Sequence, residues 1–121
     1  MRVFITKAFG RFARSERISH DALREAVDRA GRGLVDVDLG GGLIKQRVAR
    51  PGQGRSRGYR TVIALRPPTR AVFLHGFAKS ERDNIGSDDL ARLKKLARLF
   101  LDASSDDLKA WCEGRELEEV T

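Results

Sequence analysis

Three apolar runs stand almost end to end in the middle of the chain: "LIKQRVA" (43–49), "YRTVIAL" (59–65) and "AVFLHGFA" (71–78). Each is strand-like in length, with alternating or β-branched and aromatic residues. Only "RPGQGRSRG" and "RPPTR" separate them. A parallel crossover needs a dozen or more residues, usually with a helix, so connections this short leave an antiparallel meander. Pro51, Gly52, Gly54 and Gly58 supply turn chemistry to the first connection, and the paired prolines suit the second.

The flanks read mainly as helices. "RVFI" is a short strand, and "TKAFGRFARSE" follows with Ala8, Phe12 and Ala13 at helical spacing against the helix-weakening Gly10. "ISHDALREAVDRAGRG" has Ser19 as an N-cap and a stripe of Leu23, Ala26, Val27 and Ala30. "LVDVDLGGG" fits either an edge strand or a loop closed by its glycines. "SDDLARLKKLARLFLDAS" predicts a helix capped by Ser87, with Leu90, Leu93, Leu96, Ala97 and Phe100 on one face. "SSDDLKAWCEGRELEEV" starts one more helix at its Ser/Asp cap, and its acidic end reads as a solvated terminus rather than a segment folded onto the basic residues. The expected fold is one α+β domain over 1–121. It has two N-terminal helices, a three- to four-stranded, mainly antiparallel twisted sheet covered mainly on one face, and a C-terminal helix or helices.

Charge narrows the function. Residues 39–80 contain Lys45, Arg47, Arg50, Arg55, Arg57, Arg60, Arg66, Arg70 and Lys79 and no acid, while the remainder holds 15 basic and 17 acidic residues. The whole surplus of +7 therefore sits in the meander. Like charges gathered this way repel one another unless a polyanion neutralises them, which points to a phosphate-binding face. No apolar run approaches the ~20 residues of a bilayer span, and the N-terminus lacks a signal peptide's apolar stretch. The single cysteine, Cys112, cannot form an internal disulfide, so a cytoplasmic setting is expected. His20 and His75 are far apart with no further ligand at metal spacing from His75, and "GGGLIK" lacks the spacing of a phosphate loop. Neither a metal nor a cofactor is expected.

Strand parity gives the basic residues their candidate roles. Lys45 and Arg47 share a face, as do His75, Phe77 and Lys79, with Arg60 on the strand between. If the meander pairs in register, these side chains converge. The helices would then pack on the other side, using in part Leu43, Val72 and Leu74. Cations with an imidazole and an aromatic suit RNA, whose unstacked bases stack on rings and whose phosphates are clamped by arginine. Lys45, Arg47, Arg60, His75 and Lys79 are the candidate catalytic residues. Arg50, Arg55 and Arg57 on the glycine loop, with Tyr59, Phe77 and Arg82, are candidate RNA contacts. Arg66 and Arg70, flanking the prolines, read as plain solvated charges.

"GGLIKQRVARPGQGRSRGYRTVIAL", then "RAVFLHGFAKSERDNI", then "LARLKKLA", resembles the RelE/HigB superfamily of bacterial toxins from type II toxin–antitoxin modules, nearest its HigB-like branch. The likeness covers roughly residues 40–97; the N-terminal helices agree in arrangement alone. It implies a microbial-RNase-like fold and an endoribonuclease that cuts mRNA on the ribosome without metal through attack of the 2′-OH. It also implies a cognate antitoxin, expected to be of helix-turn-helix type, with operator DNA bound only through that partner. Lys45 and Arg47 match the family's paired basic residues, Arg60 the arginine after Gly-Tyr, and Lys79 the basic residue ending the last strand. Where some relatives carry a further arginine and a tyrosine, this chain has Ser80 and Gly86. That leaves the general base unassigned, with His75 a candidate. The alternatives are a non-catalytic RNA- or DNA-binding module, and an inactive homologue whose basic face only docks an acidic partner such as an antitoxin.

Overall fold

A computed structural model of the chain describes residues 1–50, 54–77 and 85–121, with residues 54–57 described in their backbone only. The elements run β1 (Arg2–Thr6), α1 (Lys7–Glu16), α2 (His20–Gly31), β2 (Val37–Gly40), β3 (Leu43–Arg50), β4 (Gly54–Arg66), β5 (Arg70–Phe77), α3 (Ser87–Leu101), α4 (Ser105–Glu113) and β6 (Leu117–Val120). The α+β class is as expected, but the sheet has six strands in the order β2-β3-β4-β5-β1-β6. The meander β3-β4-β5 forms its centre and is antiparallel throughout. The first strand enters parallel to β5, pairing Val3 with Ala71 and Ile5 with Phe73. Its other edge takes β6, so the acidic segment is an edge strand and not a solvated terminus. Charge made "ELEEV" look like a tail. Leu117 and Val120 nevertheless enter the core, Arg2 holds Glu119 through two 2.9 Å hydrogen bonds, and Arg24 Nη2 donates to Val120 O at 2.6 Å.

The hairpin between β3 and β4 is longer than its glycines suggested. Arg50 still pairs with Gly54, so Arg55 and Arg57 belong to strand β4 and not to a loop. At the other end, Gly40, Gly41 and Gly42 all have positive φ (86°, 63° and 82°), which makes the tight β2–β3 turn open to glycine and strained for other residues. The ambiguous "VDVDLGGG" is thus an edge strand and its turn.

Both faces of the sheet are covered, where mainly one was expected. Against α1 and α2 lie Val3, Ile5, Ile44, Val48, Tyr59, Ile63 and Phe73, with Phe9 and Phe73 rings 5.0 Å apart. Against α3 and α4 lie Phe4, Leu43, Val62, Ala64, Val72 and Leu74, met by Leu93, Ala97, Leu101 and Leu108. Leu43, Val72 and Leu74 therefore share the face of the basic residues. The helix α3 covers the apolar half of that face and leaves the basic half. Its N-cap is Gly86, with Ser87 the first helical residue, and Asp88 and Asp89 supply the favourable charge of the first turn. Its C-terminus is closed from outside. Arg70 Nη1 donates to Phe100 O (2.9 Å) and Ala103 O (2.8 Å), and Arg66 Nη1 donates to Leu101 O (2.8 Å). Arg66 and Arg70 are therefore C-terminal caps and not merely solvated charges. Ser104 caps α4 reciprocally with Asp107.

Candidate functional site

The candidate site rests on one irregularity in β5. Ile63 pairs with Phe73, yet Val62 pairs with His75, so Leu74 is an extra residue and the strand shifts by one. A bulge of this kind reverses parity beyond it. Leu74, His75 and Phe77 therefore share a face, while Gly76 turns to the opposite one. There, any side chain would strike α1: a Cβ on Gly76 would lie 2.5 Å from Phe12 Cε2. With that shift, two rungs cross the sheet on the face carrying α3. One is Lys45–Val62–His75 and the next is Arg47–Arg60–Phe77. The apolar residues under α3 stop at Val62 and Leu74, and the cations begin there.

The backbone beneath the cations is held by buried polar groups that sequence reasoning did not single out. Gln46, 1% exposed between Lys45 and Arg47, donates from Nε2 to Ala26 O (3.0 Å) and Leu34 O (3.1 Å). Its Oε1 accepts from Asp36 N at 3.0 Å, and its own carbonyl accepts from Thr61 Oγ1 at 2.7 Å. Arg29, 4% exposed, donates to the Arg47 carbonyl and pairs with Glu25 at 2.7 Å. Asp36 Oδ2 then accepts from Arg47 N at 2.7 Å, taking the place of a further β2 residue. Strand β3 is thereby bolted to α2 and to the segment before β2, so its two cations stand on a rigid base. One signal for Gln46 was available: it shares parity with the inward-facing Ile44 and Val48. Nothing comparable marked Asp36 or Arg29.

Asp36, Val37, Lys45, Gln46, Arg47 and Arg60 together line a concavity of about 90 Å³. A larger one, about 610 Å³, lies at the β6 edge beside Lys7, Arg14, Cys112 and Arg115, away from both rungs. Burial raises the Cys112 thiol pKa, which favours the inert neutral thiol. The smaller concavity is the one that concentrates cations on strands, as chemistry at a phosphate requires.

The expected site residues separate accordingly. Lys45, Arg47, Arg60 and His75 share one face, with Arg47 and His75 exposed and Lys45 and Arg60 half-buried. Phe77 lies beside His75, ring centroids 5.6 Å apart, but is 4% exposed and so offers no open stacking surface. Tyr59 faces the other way. It is 3% exposed, its Oη donates to Glu16 O (3.1 Å), and Arg50 lies over its ring at 5.1 Å. Buried there, Tyr59 is a core residue and not an RNA contact. Arg55 and Arg57 are placed only as positions along β4. Lys79, Ser80 and Arg82 lie outside the described residues.

No described helix is long and apolar enough to cross a membrane. No curated protein matches the sequence. A family model described as the RelE toxin of the RelE/RelB toxin–antitoxin system matches residues 1–120, beyond the stretch on which the resemblance rested. With that match over nearly its whole length, the chain belongs to the RelE toxin family: it is a toxin of a toxin–antitoxin system and has an antitoxin as its partner.

Proposed function

We propose that this toxin is an endoribonuclease acting without a metal ion on mRNA bound to the ribosome, in the cytoplasm. The observation that carries the reading is the convergence of Lys45, Arg47 and Arg60 from two adjacent strands onto one concavity. Cleavage of RNA by its own 2′-hydroxyl passes through a phosphorane with more negative charge than the substrate. Fixed cations on a rigid sheet stabilise that state more than the ground state, which is what lowers a barrier. Arg47 and Arg60 suit the non-bridging oxygens because a guanidinium binds two oxygens at once and stays charged. Lys45, half-buried on the neighbouring rung, adds a point charge. His75 carries an imidazole, a group able to give or take a proton, and we assign it delivery of a proton to the departing 5′-oxygen. Lys79 joins these residues in the proposal from its place in the family motif. Arg50, Arg55, Arg57 and Arg82 are assigned to backbone phosphates. A ribosome-bound message presents single-stranded RNA to such a face, and the antitoxin, proposed as a helix-turn-helix protein, competes for the same charge.

The test is to add purified protein to translating ribosomes and map the 5′ ends of the message. New ends within the decoding site are expected with wild type. With Arg60→Ala they should fall about 10²–10³-fold, the range found for loss of one transition-state donor, while the circular dichroism spectrum is unchanged. Salt-dependent binding without new ends would instead make the protein a non-catalytic RNA-binding module.

A further inference from the structure

Among the described residues, six line the basic concavity: Asp36, Val37, Lys45, Gln46, Arg47 and Arg60. Cleavage needs a group there that can take the 2′-OH proton, and the chemistry of these six leaves few options. Val37 has none. The Gln46 amide is occupied by Ala26 O, Leu34 O and Asp36 N, and is not basic. A guanidinium, as on Arg47 and Arg60, has donors and no acceptor, and an ammonium must first lose a proton. Asp36 supplies the one carboxylate among them, a group that accepts a proton without first losing one. Its position is fixed twice: its N–H donates to Gln46 Oε1 (3.0 Å), and its Oδ2 accepts from Arg47 N (2.7 Å). The side chain is exposed, so substrate can reach it.

We propose that Asp36 is the general base of the cleavage; the assignment rests on the endoribonuclease reading above. The 2′-oxygen gives its proton to the Asp36 carboxylate, and its electron pair forms a bond to phosphorus. The P–O5′ bond breaks with its pair going to the 5′-oxygen, which takes a proton from the His75 imidazolium. The products are a 2′,3′-cyclic phosphate and a 5′-hydroxyl. Asp36 then returns its proton to water and His75 regains one.

Asp36→Asn tests this without removing the strand contact, because the amide oxygen still accepts the Arg47 N–H while the group no longer takes a proton. The measurement is the single-turnover cleavage rate on ribosome-bound message, beside ribosome affinity and thermal midpoint. Asp36→Asn should cleave about 10²–10⁴-fold more slowly, with affinity and midpoint close to wild type, and Asp36→Ala should be at least as slow. A substrate with sulfur in place of the 5′-bridging oxygen needs no acid. It should rescue His75→Ala and leave Asp36→Asn slow. Asp36→Asn at the wild-type rate overturns the assignment, and so does its rescue by the sulfur substrate. If Asp36→Asn is active and Asp36→Ala is not, Asp36 only holds the strand, and the base assignment falls. Wild type that produces no cyclic phosphate on ribosomes overturns the nuclease reading itself, and the base with it.

Discussion

Replacing Gln46 with leucine removes three hydrogen bonds at a site 1% exposed while keeping the side chain's size. A buried group left without a partner costs about 1–3 kcal/mol, which for three bonds would suggest a very large loss. Two of the three partners escape that cost. The bonds to Leu34 O and Asp36 N are only part-buried, unlike the buried one to Ala26 O, so water can replace the amide there. Ala26 O lies within α2, where Ala30 N is placed to bond it. Leucine also recovers some apolar transfer energy. The expected loss is thus about 2 kcal/mol, near the middle of the range for one unsatisfied group. For a chain of this length that lowers the thermal midpoint by roughly 8 °C. Gln46→Glu should cost more, because an oxygen then faces the carbonyls of Ala26 and Leu34 where a donor stood. Urea unfolding of the three proteins measures both differences. Equal stability of Gln46→Leu and wild type would refute the view that this amide fastens β3. So would a glutamate variant no worse than the leucine one. Cleavage by Gln46→Leu should fall as well, since Lys45, Arg47 and Asp36 all take their places from that fastening.

Gly76→Ala should destabilise by about 1–3 kcal/mol through overpacking, because the new methyl would meet the Phe12 ring at 2.5 Å; an unchanged midpoint by calorimetry would show that α1 does not pack so tightly. Arg70→Ala should cost about 1–3 kcal/mol by uncapping α3, whereas Arg66→Ala, losing a more exposed contact, should cost less; the reverse order in urea titrations would contradict the assigned caps. Glu119 is held below its ordinary carboxylate pKa chiefly by the Arg2 hydrogen bond. Its contribution is therefore full at neutral pH and is lost as pH falls through that depressed value. Both side chains are more than one-third exposed, so Arg2→Ala should cost no more than about 1 kcal/mol at pH 7. That gap should narrow on acidification, and a gap constant with pH would exclude the ion pair as its source.

The central hairpins were legible because alternation and turn residues are local properties of the chain. Lys45, Arg47 and Arg60 were legible with them, since parity within a strand follows from spacing alone. The joint face with His75 was right for an added reason. The bulge at Leu74 moves His75 and Phe77 onto the rung of their partners, and that shift is a matter of backbone pairing that no composition marks. Remote partners account for most of what was misread. Arg66 and Arg70 look solvated until α3, some 30 residues on, brings its carbonyls to them. The "ELEEV" segment looks like a tail until Arg2 and Arg24 from the other end of the chain meet it. Tyr59 reads as an RNA contact until the aromatic core around Phe12, nearly 50 residues earlier, buries it. Asp36 depends on the same kind of contact, reaching Arg47 across a turn of uncertain form in the sequence.

The position of β1 orders the protein in time as well as in space. Residues 2–6 are made before every other strand of the sheet, yet their neighbours are β5 at residues 70–77 and β6 at residues 117–120. The hairpins bearing the cations join adjacent stretches and can pair as soon as they emerge, at the low entropic cost of short loops. The first strand must wait for its inner neighbour, and it gains its outer one only once residue 120 has been made. A newly made chain can therefore hold its basic rungs before β1 has both of its neighbours.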